Sequence, residues 1–146
     1  MAVTDFFTDA EKKQITDAIK AAELNTSGEV RVHVEGHCKG EVLDCAAYWF
    51  GKLDMHKTAA RNGVLFYLAV TDRKFAILGD SGINTKVPEN FWEEIKEHML
   101  SRFKDARFAD GLSEGIIMAG EQLKTHFPYQ DDDVNELSDE ISFGKK

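Results

Sequence analysis

Hydrophobic positions in the first part of the chain change from helical spacing to strict alternation. Thr8 followed by Glu11 predicts a capping box at the start of a helix, because each side chain can bond the backbone of the other residue. The inner face of that helix is predicted from apolar residues three and four positions apart, at Ile15, Ala18, Ile19 and Ala22. The helix ends near residues 24–28. Valines then alternate with polar residues in Glu29–Glu35, which predicts a strand.

The middle of the chain predicts a second helix followed by a hairpin. Helical spacing returns in residues 41–53 (EVLDCAAYWFGKL). Residues 62–70 (NGVLFYLAV) form a continuous apolar run, which is typical of a strand covered on both faces. The next four residues, TDRK, are a turn signal, and residues 75–78 (FAIL) supply the returning strand of the hairpin.

Two more helices and an acidic tail are predicted in the rest of the chain. Pro88 suits the first turn of a helix, and an apolar stripe follows it at Phe91, Trp92, Ile95, Met99 and Phe103. The last helix is predicted over residues 110–126, with an inner face formed by Leu112, Ile116, Ala119, Gly120 and Leu123. Residues 1–128 are therefore predicted to form a single domain. Residues 129–146 are predicted to be an acidic tail, attached to the domain by Val134, Leu137 and Ile141.

This order of elements, α-β-α-β-β-α-α, predicts the fold class. An alternation of helices and strands of this kind favours a three-layer α/β/α sandwich around a small mixed sheet. The connection from the first strand to the second is expected to be a right-handed crossover between parallel strands. The third strand then returns antiparallel to the second.

Charge narrows the classes of function. The 146 residues carry a net charge of -8, which argues against binding to nucleic acid and is compatible with a cation as ligand. The amino terminus has neither the basic nor the apolar region of a signal peptide, and no apolar run reaches the roughly 20 residues of a membrane span. The sequence therefore predicts a cytoplasmic protein without a membrane span.

The chain has two cysteines, Cys38 and Cys45. If both lay on one helix, seven positions apart, their Cα atoms would be about 10 Å from each other, which is too far for a disulfide. Two reduced thiols are the expected state, and they agree with a cytoplasmic location.

Polar residues are predicted to meet at one end of the sheet. Glu29 begins the first strand, Asn62 precedes the second, and Asp80 follows the antiparallel third strand. Carboxylate and amide oxygens are the ligands that Ca²⁺ and Mg²⁺ prefer, so these three residues are the candidate metal ligands. Two alternatives stay open, because Asp80 can make an Asx-turn and Glu29 can pair with Arg61. A rival metal site at the opposite end of the sheet would use Asp72 and Asp110, although Asp110 is better interpreted as a helix N-cap.

Three other motifs resemble known catalytic or metal-binding sites, but each lacks residues or a spacing that such a site requires. Residues 79–82 read Gly-Asp-Ser-Gly, as in the nucleophile loop of trypsin-like proteases, but those enzymes are all-β proteins with a separate histidine loop. His33 and His37, on one strand, would lie about 13 Å apart, too far to share a zinc ion. The tail begins like an EF-hand loop but lacks the glycine and the final glutamate of that motif. Ser81 is therefore not interpreted as a nucleophile, and no catalytic residue is assigned.

The ordered succession of several segments resembles the TPM domain family. These segments are SGEVRVHVE, RNGVLFYLAVTDRKFAILGDSGI, VPENFW, FADGLSEGI and DDVNEL. The family includes thylakoid-lumen proteins of photosystem II repair and many bacterial proteins. The resemblance implies an α/β/α sandwich, binding of divalent cations and, for some plant relatives, weak acid phosphatase activity. Many relatives carry a signal sequence and a membrane anchor, and neither is recognised in this sequence.

The sequence and the resemblance together leave three alternative functions. The first is a binding or interaction module that takes Ca²⁺ or Mg²⁺, with an unidentified protein partner as a further ligand. The second is a weak metal-dependent acid phosphatase, in which Arg61 and Lys86 would face a phosphate. The third is an interaction module that needs no metal and uses the acidic tail. The first is favoured, because the sequence shows no P-loop, no Asp-x-Asp nucleophile motif and no Cys-x5-Arg phosphate loop.

Overall fold

The computed structural model describes residues 3–24, 26–58, 60–88, 90–128 and 141–144. Within these ranges lie five helices, α1 (Asp9–Glu23), α2 (Val42–Lys52), α3 (Ser81–Asn84), α4 (Phe91–Phe103) and α5 (Phe108–His126). Four strands accompany them, β1 (Glu29–Glu35), β2 (Gly63–Ala69), β3 (Lys74–Gly79) and β4 (Ser142–Phe143). Short 3₁₀ helices occupy Val3–Asp5 and Met55–Lys57.

The start of α1 is stabilised by the predicted capping box. The Thr8 hydroxyl accepts the Glu11 N–H (3.1 Å), and the Glu11 carboxylate accepts the Thr8 N–H (2.8 Å). Two of the N–H groups that a helix leaves without partners at its first turn are thereby satisfied. The four residues predicted for the inner face of this helix, Ile15, Ala18, Ile19 and Ala22, are all buried.

The strands form one mixed sheet in the order β3-β2-β1-β4. β1 is parallel to β2, and β2 and β3 form the predicted antiparallel hairpin. Every residue of β2 is buried, as expected for a continuous apolar strand with helices on both faces. The predicted α/β/α sandwich around a small mixed sheet is confirmed.

The two faces of the sheet bury two separate hydrophobic cores. The larger core lies between the sheet and helices α1, α4 and α5, and it includes the three valines of β1, Val30, Val32 and Val34. The smaller core lies under α2 and includes the alternate residues of β2, Leu65, Tyr67 and Ala69. This alternation assigns each strand position to one face of the sheet. Arg31, His33 and Glu35 therefore lie on the α2 face.

Two helix boundaries differ from those predicted. α4 begins at Phe91, so Pro88 precedes the helix instead of lying in its first turn. α5 begins at Phe108, so Asp110 lies inside the first turn, and the prediction that it is the N-cap is wrong. Within the described ranges no helix combines the length and the apolar character that crossing a membrane requires.

The expectation of two reduced thiols is also wrong. Cys38 and Cys45 form a disulfide, with Cα atoms 6.2 Å apart. The two cysteines do not share a helix, because α2 begins only at Val42 and leaves Cys38 in the preceding loop. That loop turns back on the helix, helped by Gly40 with its left-handed φ of 85°. Reduced thiols agreed with the predicted cytoplasmic location. Because the cysteines form a disulfide, they no longer support that prediction.

The end of the predicted tail belongs to the sheet. β4 pairs with β1 in parallel, His33 opposite Ser142 and Val34 opposite Phe143. Ile141 and Phe143 pack against the larger core, as predicted for Ile141. The predicted contacts of Val134 and Leu137 lie outside the described residues.

Candidate functional site

The three predicted ligand residues lie at the same end of the sheet. Glu29 is opposite Gly63 in the β1–β2 register, and its N–H donates to the carbonyl of Asn62 (3.3 Å). On the other side of β2, the N–H of Asp80 donates to the carbonyl of Gly63 (3.0 Å). All three are buried, with exposed fractions of 2% for Glu29, 1% for Asn62 and 6% for Asp80.

Gly63 separates the two carboxylate residues. Because Glu29 and Asp80 flank β2 at the same level, their backbones lie about two strand spacings, or roughly 10 Å, apart. The residue between them has no side chain. By the alternation of the strands, these three positions lie on the α2 face of the sheet.

The side chain of Asn62 has a defined orientation. Its amide nitrogen donates to the carbonyl of Ser27 (3.2 Å), and its backbone N–H donates to the Thr58 hydroxyl (3.2 Å). The amide oxygen, Oδ1, is buried and has no hydrogen-bond partner among the described residues. A buried acceptor left without a donor costs about 1–3 kcal/mol, so this oxygen is a place where a donor or a cation would be favoured.

Asp80 is held by a two-point ion pair. The Arg61 side chain donates to both carboxylate oxygens, from Nε to Oδ2 (2.8 Å) and from one terminal nitrogen to Oδ1 (2.9 Å). The N–H of Ser81 also donates to Oδ1 (2.7 Å), so Asp80 is the N-cap of α3. Burial acts to raise the pKa of Asp80, but Arg61, the Ser81 N–H and nearby His56 outweigh it and hold that pKa below its usual value. The alternative in which Arg61 pairs with Glu29 is replaced by a pair with Asp80.

Gly79 and Gly82, on either side of the Asp80 turn, lie where neighbouring atoms leave no room for a side chain. A Cβ on Gly79 would lie 2.5 Å from the Trp92 ring, and one on Gly82 would lie 2.3 Å from the carbonyl oxygen of Ala60. Gly82 also donates its N–H to the carbonyl of Arg61 (2.9 Å). The left-handed conformation in this turn belongs to Arg61, with φ 52°. Gly82 thus seats the Asp80 turn against residues 60–61 and Gly79 seats it against Trp92, and neither glycine has a positive φ.

Three further polar side chains, those of Asp54, Lys86 and Ser81, have separate roles. Asp54 is exposed and pairs with Lys57 (3.3 Å). The Lys86 ammonium lies over the Phe127 ring, 4.6 Å from its centroid, and makes a cation–π contact there. The Ser81 hydroxyl has no hydrogen bond to a histidine or a carboxylate in the described part of the chain, which leaves the protease interpretation without a base.

Asp72 and Asp110, the rival metal ligands at the opposite end of the sheet, each bond different neighbouring residues. Asp72 accepts from the N–H of Cys38 (2.8 Å) and contacts the His37 ring (2.8 Å). Asp110 accepts from Gln14 (2.8 Å) and Arg107 (2.9 Å). The pKa values of both carboxyl groups are lowered, that of Asp72 chiefly by the Cys38 N–H and that of Asp110 chiefly by Gln14. Each carboxylate is committed to a structural contact.

A polar cluster at the β1–β4 contact was not identified from the sequence. His33 is fully buried; its Nδ1 is 2.8 Å from the Ser142 hydroxyl and its Nε2 is 2.7 Å from Glu35. Trp49 of α2 stacks on the ring at 3.9 Å between centroids. Burial lowers the pKa of His33, although Glu35 opposes that effect. The alternation of β1 places His33 on the α2 face, but no sequence signal identifies Ser142 as its partner.

The donor set at the Asp80 end fits a weakly held hard cation. Among the described residues there is no group of three or more His, Cys, Asp or Glu side chains able to hold a metal ion, so this set offers two carboxylates at most. The partnerless oxygen of Asn62 adds a neutral ligand of the type that Ca²⁺ and Mg²⁺ accept. Arg61 supplies the positive charge opposite Asp80, and its side chain is half exposed. A cation binding to Asp80 would therefore compete with a side chain that can move into solvent.

A protein-family comparison identifies the domain. The sequence model of the TPM domain matches residues 2–122. No protein with a curated description matches the chain.

Solved structures match the whole fold. The BA42 protein from the psychrophilic bacterium Bizionia argentinensis is 45% identical, with a TM-score of 0.89 over 95% of this chain and 96% of that one. The N-terminal domain of a protein from P. gingivalis is 17% identical, with a TM-score of 0.68 over 85% and 82% of the two chains. The N-terminal domain of cg2496 from Corynebacterium glutamicum is 11% identical, with a TM-score of 0.67 over 87% and 80%. At such low identities the last two show the fold alone.

Proposed function

Because the chain belongs to the TPM domain family, we propose that it is a binding or interaction module that takes a divalent cation, Ca²⁺ or Mg²⁺. The proposed ligands are Glu29, Asn62 and Asp80. No catalytic residue is proposed, and the cation would regulate or complete a binding surface.

One observation carries the proposal. The Oδ1 atom of Asn62 is buried and has no hydrogen-bond partner within the described ranges, at the end of the sheet where Glu29 and Asp80 also lie. Its amide nitrogen is committed to the Ser27 carbonyl, so the oxygen is the free end of a held side chain. A hard cation would satisfy this oxygen, and the carboxylates of Glu29 and Asp80 would neutralise its charge.

The ligand set predicts the character of the binding. With one oxygen each, two carboxylates and one amide leave roughly half or more of the positions of a six- to eight-coordinate Ca²⁺ ion to water. Binding would also have to displace Arg61 from Asp80, which weakens the affinity further. We therefore expect modest affinity and competition between Mg²⁺ and Ca²⁺.

Calorimetry and backbone NMR test the site. Ca²⁺ is titrated into the wild type, Asp80→Asn and Asp110→Asn, and the Ca²⁺ titration is repeated in the presence of Mg²⁺. Asp80→Asn is expected to weaken binding about tenfold or more, because it removes one of two charges from the ion. Asp110→Asn removes the same charge at the opposite end of the sheet and is expected to bind as the wild type does.

Two results would contradict the proposal. If Asp80→Asn binds Ca²⁺ as tightly as the wild type, the residue is only a helix cap and a partner of Arg61. If Asp110→Asn loses binding while Asp80→Asn keeps it, the cation lies at the rival site. NMR shifts confined to residues 27–30, 58–63 and 79–82 would be the expected signature.

A further inference from the structure

A cavity of about 440 Å³ opens at the hairpin end of the sheet, opposite to Asp80. It lies between the β2–β3 turn, the end of α4 and the start of α5, and we call it the hairpin cavity. Its walls are aromatic and aliphatic, formed chiefly by Phe6, Leu68, Phe75, Leu100, Phe103 and Phe108. Small-molecule sites in proteins occupy roughly 300–1,000 Å³ and have mostly apolar walls, so the hairpin cavity has the size and the surface of such a site.

The described charged residues that line the cavity are all basic. Among the described residues, Arg73, Lys74 and Lys104 line it and no acidic residue does, in a chain whose net charge is -8. The Lys74 ammonium is committed to the carbonyls of Cys38 (3.3 Å) and Gly40 (3.1 Å). Arg73 and Lys104 are exposed, and in the described part of the chain neither takes part in an ion pair. Two available cations therefore stand beside an apolar cavity.

We propose that the hairpin cavity binds a small amphiphilic anion, a carboxylate with an apolar chain. The chain would enter among the phenylalanine rings, which removes apolar surface of both partners from water. The carboxylate would remain near Arg73 and Lys104, where charge-assisted hydrogen bonds are available. The apolar walls favour the chain, and the purely basic lining favours an anion over a cation of the same length.

Decanoate and decyltrimethylammonium test the proposal, because they share a chain length and differ in the sign of the charge. Each is titrated below its micelle concentration into the ¹⁵N-labelled full chain. Decanoate is expected to shift amide resonances of residues 69–75 and 100–108 saturably, and decyltrimethylammonium is expected to bind at least about tenfold more weakly.

Two pairs of variants separate the charge from the apolar wall. Arg73→Gln with Lys104→Gln is expected to weaken decanoate about tenfold, whereas Lys20→Gln with Lys52→Gln, which changes the net charge equally, is expected to leave it unchanged. A substitution of Leu100, which lines the cavity and is 45% exposed, tests the contribution of the apolar wall to binding. Leu100→Gln is expected to weaken decanoate about threefold, and Leu43→Gln on α2, also exposed, is expected to have no effect.

Several results would overturn the proposal. Equal affinity for the two amphiphiles, or no loss in Arg73→Gln with Lys104→Gln, would show that the basic lining plays no part. Decanoate shifts located elsewhere would remove the cavity as the site. A short peptide with a C-terminal leucine that binds the same residues more tightly than decanoate would assign the cavity to protein recognition. None of these outcomes depends on the cation site, which lies at the other end of the sheet.

Discussion

Arg61 acts as a built-in counter-ion at the candidate site. It bonds both oxygens of Asp80, and its backbone is in the left-handed region, with φ 52°. Any cation that uses Asp80 must compete with this guanidinium. Arg61→Gln is therefore expected to tighten Ca²⁺ binding by about twofold to tenfold, measured by calorimetry.

Lys52→Gln serves as the control for that measurement, because it removes the same charge at an exposed position of α2. It is expected to leave the affinity unchanged. Unchanged or weaker binding in Arg61→Gln would mean that Arg61 does not compete for Asp80 with the ion.

The buried His33 predicts a dependence of stability on pH. Its pKa in the folded protein is lowered, chiefly by burial, below the roughly 6.5 expected in the unfolded chain. The unfolded state then binds more protons between these two values. The contribution of His33 to stability is therefore fully present above about pH 6.5 and is lost as the pH falls toward the folded pKa. Urea unfolding between pH 7.5 and pH 5 is expected to show this loss.

His33→Gln is expected to flatten the curve in that range, because the titrating group is gone. His37→Gln, at an exposed histidine beside Asp72, is the matched control and is expected to keep the wild-type slope. If both variants retain the same slope, the pH dependence comes from other groups.

At the scale of elements, the Cys38–Cys45 disulfide ties the loop before α2 to the helix itself. The same loop is held to the hairpin by Asp72, which accepts the Cys38 N–H, and by Lys74, which donates to two of its carbonyls. Closing so short a loop should stabilise the fold by about 2 kcal/mol in the chain-entropy account. Cys38→Ala with Cys45→Ala is expected to lower the free energy of unfolding by that amount.

Urea unfolding of the oxidised protein, the reduced protein and the double variant checks this. The reduced protein and the variant are expected to unfold at similar, lower urea concentrations. Equal stability of all three would show that the loop is held by Asp72 and Lys74 alone.

The elements with strong periodic patterns could be predicted from the sequence, and those without could not. The valines of β1 and the apolar run of β2 determined their faces, and the topology then brought Glu29, Asn62 and Asp80 to one end of the sheet. β4 has two residues in a polar segment, so no pattern indicates it. The disulfide depended on where α2 begins, which spacing alone does not define. The choice of Asp80 over Glu29 as the partner of Arg61 depends on side-chain geometry.

At the scale of the whole molecule, the candidate cation site and the hairpin cavity lie at opposite ends of the sheet. One end holds Asp80 and Glu29, and the other holds the hairpin cavity with Arg73 and Lys104. Since the described residues show no activated nucleophile at the Asp80 end, any phosphatase activity is expected to be weak and to need a metal.

Hydrolysis of a phosphate ester by the wild type and Asp80→Asn, each with and without a chelator, measures that activity. Turnover is expected to be slow, and to fall to background with either the chelator or the substitution. Robust turnover that is insensitive to both would place the chemistry at a different site.

The pairing of β4 with β1 has a consequence for biosynthesis. A ribosome delivers residues 141–144 after every other described element, yet β4 lies beside the first strand to emerge. Until then, β1 presents an open edge, and such edges pair readily with strands of other chains. Gly144, whose N–H reaches the Val34 carbonyl (2.8 Å), completes this late step. A nascent chain thus keeps this edge of β1 open to strands of other chains in the interval between finishing α5 and docking β4.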